Sequence, residues 1–212
     1  MGKIHEMSIE LANLISAGEV VNRPANAIKE LVENSIDAGA TAITVEIHNG
    51  GITLMRVSDD GCGMDAEDLV LSVKRHATSK LYRQEDIDAI STMGFRGEAL
   101  ASIASIAQVE LITRQAEAEI GTKVVINGGE FVSQTPVAAP IGSQFLVKNI
   151  FYNTPGRRKF IDDRQSQLPN MIKTEFRRVA LCHPEVSMEL LSDKAMVYSL
   201  PKASLLERIV GI

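Results

Sequence analysis

Apolar residues recur along the chain with two different periods, and the switches between them divide it into elements. Ser8, followed by Ile9, Leu11, Leu14 and Ile15 with Gly18 after them, has the cap, spacing and stop of a first helix. Pro24 stands where a first helical turn tolerates it, and Ala25, Ile28, Leu31, Val32 and Ile36 share one face at about 100° per residue. A second helix therefore runs to about Ala38, where Gly39 stops it. The period then shortens to two: Ile43, Val45 and Ile47, a Gly50-Gly51 turn, and Ile52, Leu54 and Val57 predict a hairpin.

Beyond it lie an Asp/Gly loop at 59–63, a short helix at about 65–73 and a long polar connection at 76–91. Residues 98–107 read as a helix, and 109–113, 122–126, 130–135 and 144–150 as antiparallel strands. A loop at 151–159, a helix at 168–182, short strands at 186–191 and 196–200 and a last helix from about Ala203 complete the pattern. Helices and strands mix without strict alternation. That predicts the α+β class, a two-layer sandwich of helices on one face of a mixed, mostly antiparallel sheet.

Composition narrows the picture without assigning a function. The 212 residues are 45% hydrophobic and 23% charged, as in ordinary globular domains, and a chain of this size buries roughly 70% of its surface unaided. No apolar run reaches the roughly 18 residues of a membrane span, and no signal-peptide core opens the chain. Cys62 and Cys182 form no ligand spacing or disulfide framework, so a reducing, cytoplasmic setting is expected, nuclear in a eukaryote. His5, His48, His76 and His183 have no spacing suited to metal or nucleophile chemistry, and His76 is a candidate lid contact. The net charge of −5 and the absence of Trp speak against a general nucleic-acid surface, though a local basic patch remains open.

Three short motifs carry chemistry. On the second helix Glu30, Asn34 and Asp37 stack opposite the apolar face. A polar stripe facing water is the plain alternative. Asp59-Asp60-Gly61-Cys62-Gly63 follows a strand, so Asp59 can turn an acceptor into a cleft while glycines let a flat ligand approach. An ordinary Asp/Gly turn is the competing reading, and a calcium loop fits poorly because the alternating oxygen ligands and closing Glu are missing. Gly94-Phe95-Arg96-Gly97-Glu98-Ala99-Leu100 opens a helix, where free N–H groups and the helix dipole suit phosphate. Thr78-Ser79-Lys80 adds two hydroxyls and a cation, while neither a Walker A loop nor a dinucleotide fingerprint occurs.

Taken together and in this order, these strings resemble the GHKL ATPases, and specifically the amino-terminal ATPase region of MutL mismatch-repair proteins. The resemblance is carried by Ala17-Gly18-Glu19-Val20-Val21, Lys29-Glu30-Leu31-Val32-Glu33-Asn34-Ser35 and Asp37-Ala38-Gly39-Ala40. It continues through residues 59–63, His76-Ala77-Thr78-Ser79-Lys80, residues 94–100 and Phe151-Tyr152-Asn153-Thr154-Pro155.

The resemblance implies the Bergerat fold, with ATP as ligand and Mg²⁺ as cofactor. Glu30 would be the general base and Asn34 the Mg²⁺ ligand; Glu33 competes as base but points about 100° away from the Asn34 direction. Asp59 would accept from the adenine amino group, with Gly63 leaving room for the base and Ser143 beside it. Asp37 would be a further nucleotide-site residue, and Thr78, Ser79, Lys80, Gly94, Phe95, Arg96, Gly97, Glu98, Ala99 and Leu100 would hold the phosphates, partly as a lid. Lid ordering, association of two amino-terminal regions as homodimer or paralogue heterodimer, a MutS-type mismatch sensor, and a downstream nuclease and helicase are further implications. A nucleotide-gated interaction module with little turnover is the alternative.

Some positions depart from the family pattern. Ser143 replaces Thr, Asp60 replaces the usual Asn beside the base-binding carboxylate, and Gly156 replaces Ala. Arg157, Arg158 and Lys159 are either a weak, non-specific DNA contact or a solvated loop. Residues 1–200 are expected to form the ATP-binding domain and 201–212 to begin the connection to a second subdomain. The family draws a γ-phosphate lysine from that subdomain, so slow hydrolysis is expected of this chain alone.

Overall fold

Eight strands join in one sheet in the computed structural model, which describes residues 7–8, 15, 17–81, 83, 85, 88, 90, 92–94 and 96–212. They are β1 (Ala42–His48), β2 (Leu54–Asp59), β3 (Gln108–Arg114), β4 (Gly121–Asn127), β5 (Glu130–Val137), β6 (Gly142–Lys148), β7 (Ser187–Ser192) and β8 (Ala195–Leu200). Their spatial order is β5-β4-β3-β6-β2-β1-β7-β8, and neighbours run antiparallel except β1 with β7. The helices are α1 (Pro24–Asp37), α2 (Ala66–Leu71), α3 (Ala99–Ile106), α4 (Pro155–Asp162), α5 (Leu168–Cys182) and α6 (Leu205–Gly211). The expected α+β sandwich is what forms.

The period-2 pattern explains why one face of the sheet is covered. Ile43, Val45 and Ile47 of β1 lie opposite Asp59, Val57 and Met55 of β2, so their side chains share a face. That face continues through Phe145 and Val147 of β6 and Val109 and Leu111 of β3, all buried. Ile28, Leu31 and Val32 of α1 and Ile172 and Phe176 of α5 close the same core from above. Ser35, on the apolar side of α1, is thereby left over the end of β2 where Asp59 stands.

Three sequence expectations change. Gly18 does not end a helix, because residues 17–20 are helical; it is small because the Arg157 guanidinium lies where a Cβ would be. Residues 9–14 of the expected first helix lie outside the described residues. Ile52 belongs to the turn and not to a strand: Asn49–Gly51 form a 3-10 turn and β2 starts at Leu54. Finally, 151–159 is not all loop. Pro155 occupies a first-turn position, Arg158 pairs with Asp162 one turn on and Ile161 is buried, so helix α4 forms and carries the basic triplet.

The carboxy-terminal helix is held by an arginine that periodicity does not reveal. Ser204 and Glu207 cap α6 reciprocally. Arg208, 1% exposed, donates to the carbonyl oxygens of Ala180, Pro184, Val186 and Pro201. Burial lowers the pKa of its guanidinium, and the Glu185 carboxylate works against that. Leu205, Leu206, Ile209 and Val210 meanwhile face outward on the same helix.

Candidate functional site

The site begins as a row across three neighbouring strands. Register places Asp59 of β2 opposite Ser143 of β6, and Ser143 opposite Thr113 of β3. The Asp59 carboxylate accepts from the Ser35 hydroxyl at 2.7 Å, the Gly61 N–H at 3.0 Å and the Ser143 N–H at 3.2 Å. Burial pushes this carboxyl above its ordinary value, and the donors only partly offset it. Gly142 sits tight against the row, since a Cβ there would come within 2.0 Å of the Asp59 carbonyl oxygen. Gly63, at φ 69°, is required by packing as well: its Cβ would meet the Arg114 carbonyl oxygen at 2.3 Å.

Asp60 adds its charge beside Asp59 as expected, reinforcing the rise of that carboxyl's pKa, and is itself held at the start of β1. It accepts from the N–H groups of Thr41 and Ala42 and from the Thr41 hydroxyl. Burial acts to raise its pKa, but those hydrogen bonds prevail and hold it below the ordinary aspartate range.

Along α1 the stripe of Glu30, Asn34 and Asp37 faces the connection at 76–98. The Lys80 ammonium bridges Asn34 Oδ1 at 3.1 Å and Asp37 Oδ2 at 2.6 Å. Asp37 also accepts from the N–H groups of Met93 and Gly94, at 3.0 and 3.1 Å. Burial favours its protonated form, yet Lys80 and these amides prevail and lower its pKa. Glu30 and Glu33 separate clearly. Glu33 is 6% exposed and bonded to Lys29 at 2.8 Å, whereas Glu30 is more open and 3.6 Å from the same ammonium. Burial raises the Glu30 pKa, with Lys29 opposing and Glu33 reinforcing the shift.

The remaining sequence candidates lie along that connection. The Thr78 hydroxyl accepts from the Lys80 N–H, and Ser79 sits in the same bend. Gly97, at φ 64°, takes the His76 N–H on its carbonyl, and its own Cβ would strike the Ala77 carbonyl oxygen at 2.5 Å. His76 Nδ1 also stands 3.6 Å from Glu98. Among the described residues Glu98 provides no side-chain cap for α3, and first-turn N–H groups such as those of Ala99 and Leu100 suit an outside acceptor. Arg96 lies at the bend before Gly97, and Phe95 lies outside the described residues.

The basic triplet is distant in character. Arg157 packs on Gly18 and buries one terminal nitrogen without a partner, Arg158 is tied to Asp162 and to the Ile150 carbonyl, and Lys159 is exposed.

Two residues escaped the sequence reading although each left a trace. Ser35 lies one turn after Leu31, on the apolar side of α1, and Thr113 continues the inward series Val109, Leu111. A hydroxyl at an inward position needs a partner. For both, that partner belongs to the Asp59 row.

Residues 22–149 match the family described as histidine kinase-, DNA gyrase B-, and HSP90-like ATPases. The chain is 50% identical to the DNA mismatch repair protein MutL of Bacteroides fragilis over 209 residues, covering 99% of this chain and 33% of that protein. With MutL of Neisseria meningitidis it shares 46% identity over its full length, covering 32% of the relative. The chain thus spans about a third of the length of the curated relatives it matches. Among solved structures, the Aquifex aeolicus MutL ATPase domain complexed with ADP superimposes with a TM-score of 0.71 at 30% identity, covering 90% of this chain and 68% of that one. The amino-terminal domain of a DNA repair protein gives a TM-score of 0.80 at 26% identity, covering 94% and 59%. By its matched residues, its identity to these relatives and its superposition on their ATPase fold, the chain belongs to the histidine kinase-, DNA gyrase B- and HSP90-like ATPases and, within them, to the MutL ATPase domains.

Proposed function

We propose that the chain binds ATP with the purine at the Asp59 row and the phosphates between α1 and residues 76–100, and hydrolyses it with Glu30 as general base. The supporting observation is that α1 touches both ends of that span. Ser35 reaches Asp59, while two residues later Asp37 holds Lys80, Met93 and Gly94. Phosphoryl transfer needs chiefly positioning and charge neutralisation. Glu30 is raised in basicity by burial and is not consumed by a short ion pair, as Glu33 is. Lys80, Thr78, Ser79 and the uncapped start of α3 supply cation and donors to phosphate oxygens.

The residues suit Mg²⁺. A cationic ammonium already sits between the Asn34 amide oxygen and the Asp37 carboxylate, and hard oxygens of this kind are what that ion takes alongside substrate phosphates. Asn34 would hold it, with Asp37 close by. When bound, it supplies neutralisation of charge on the phosphate oxygens.

In the whole protein we assign this region to an amino-terminal ATPase whose lid at 76–100 orders with nucleotide. Association with a second copy or a paralogue then couples a MutS-type sensor to a nuclease and helicase. The family resemblance supports that sequence of events. Residues 1–200 are the ATP-binding domain in this reading. The outward Leu205, Leu206, Ile209 and Val210 suit 201–212 as the approach to a second subdomain, whose lysine completes turnover. Hydrolysis by the 212-residue chain alone is slow on this account. DNA contact is weak and salt-sensitive, and with Arg157 and Arg158 engaged internally it falls mainly to Lys159. Among the described residues no helix is long and apolar enough to cross a membrane; we place the protein in the cytoplasm.

Calorimetric titration with Mg²⁺ and ATP, repeated with GTP, tests the reading. ATP is expected to bind and GTP to bind far more weakly, because guanine offers Asp59 a carbonyl in place of an amino group. Asp59→Asn is expected to weaken ATP by about 10- to 100-fold, the worth of a hydrogen bond to a charged acceptor. Equal affinities for ATP and GTP would contradict the assignment.

A further inference from the structure

Thr113 is buried at 1% exposure, and its hydroxyl has three neighbours. The Met64 N–H stands at 2.9 Å, the Gly142 carbonyl oxygen at 3.0 Å and the Ser143 hydroxyl at 3.0 Å. A threonine hydroxyl has one proton to give and two lone pairs to receive with. An amide N–H can only donate and a carbonyl only accept, so two of the three bonds are fixed: Met64 donates to Thr113, and Thr113 donates to Gly142. The third follows. With its proton spent on Gly142, Thr113 must accept from Ser143. The opposite assignment would leave two buried oxygens 3.0 Å apart with no proton between them.

Ser143 is therefore stripped of donors. Its N–H is given to Asp59 and its O–H to Thr113. Asp59 is in the same condition for a different reason, since an ionised carboxylate only accepts. It offers about four lone-pair sites, of which Ser35, Gly61 and Ser143 occupy three, leaving room for one more donor.

We propose that Thr113 is a specificity-determining positioning residue. By taking the Ser143 proton it makes Ser143 acceptor-only, so that Ser143 and Asp59 together present no donor to position 6 of the purine. This rests on the reading of the Asp59 row as the purine site. Adenine carries an amino group with two N–H donors at position 6; hypoxanthine and guanine carry an oxygen that only accepts. An edge of acceptors welcomes the first and leaves the second facing lone pairs. Discrimination of this kind is large where the polar groups are buried. Thr113 need not touch the nucleotide to exert it.

The test is calorimetric titration of ADP and IDP, which differ only at position 6 and the adjacent N1 proton, into the wild-type chain and three variants. Wild type is expected to prefer ADP. Thr113→Val keeps the shape but frees the Ser143 proton to donate to the IDP oxygen, so the ADP-over-IDP preference is expected to fall about tenfold, one hydrogen bond's worth. Thr113→Ser restores the acceptor and should restore the ratio. A purely structural loss would weaken both ligands together and leave the ratio unchanged. A wild-type ratio in Thr113→Val therefore overturns the proposal. Ser143→Ala covers the case in which Thr113→Val does not fold: it should also lower the ratio, and an unchanged ratio there overturns the proposal equally. Failure of wild type to bind either nucleotide would instead remove the purine-site reading on which the proposal stands.

Discussion

Replacing Glu30 with alanine is expected to slow single-turnover ATP hydrolysis by about 10²- to 10⁴-fold, the usual worth of a general base, while ATP affinity changes little. The two effects separate because Glu30 makes no contact with the groups that hold the rest of the site together: Lys80 is carried by Asn34 and Asp37, and Asp59 by Ser35. The reaction should also respond to pH in a defined sense. A base must be ionised to accept a proton, and burial has raised the Glu30 pKa. The rate is thus full above the folded-state value and falls as pH drops through it, at a higher pH than an exposed glutamate would show. Lys29 opposes that shift, so Lys29→Met should move the acidic limb further upward. Turnover in Glu30→Ala equal to wild type, measured with protein in excess over nucleotide, would reassign the base, and the buried, ion-paired Glu33 would be the first alternative to examine.

Arg208→Ala is expected to cost about 3–5 kcal/mol of stability, since it strands several buried carbonyls and leaves a cavity. For a domain of this size the corresponding drop in Tm is roughly 10 °C. The side chain serves four carbonyl oxygens on three stretches of chain: the end of α5, the 184–186 turn into β7, and Pro201 after β8. Lysine cannot replace it, because one ammonium has three donors and no planar fork. Thermal denaturation measures the loss directly, and a change below about 1 kcal/mol, the size of an ordinary surface substitution, would mean that water or a rearranged α6 replaces the arginine.

The fold was largely legible because its signals are local. Pro24 and Gly39 bracket α1, and the inward series Ile43, Val45, Ile47 and Val109, Leu111 identifies sheet faces without any knowledge of partners. The candidate site was legible where its groups sit in short strings, as Glu30, Asn34 and Asp37 do. Errors came where a residue's role depends on something distant in sequence. Gly18 looked like a helix stop because Arg157, which fills its missing side chain, comes more than a hundred positions later. Asp60 does act on Asp59 through its charge, but its hydrogen bonds to Thr41 and Ala42 at the start of β1 are not legible from its place along the chain. Thr113, Ser35 and Arg208 needed pairing partners on other elements before their hydrogen bonds could be counted. The loop reading of 151–159 failed differently: Pro155 and Gly156 are turn residues in isolation, and only burial of Ile161 and the Arg158–Asp162 pair favour the helix.

The strand order carries a consequence for how the molecule comes into being. Strands β1 and β2 form a local hairpin and β3, β4 and β5 a local meander, each from consecutive sequence. The two are joined only by β6, which arrives after both and inserts between β2 and β3. Without residues 142–148 the hairpin and the meander share no ladder, and β2 and β3 would each present an open edge of the kind that invites mispairing. Asp59, Ser143 and Thr113 stand on those three strands in one row, so that row does not exist in either half. The pairing that closes the sheet is also the pairing that completes the row, so a chain whose halves mispair would lack it.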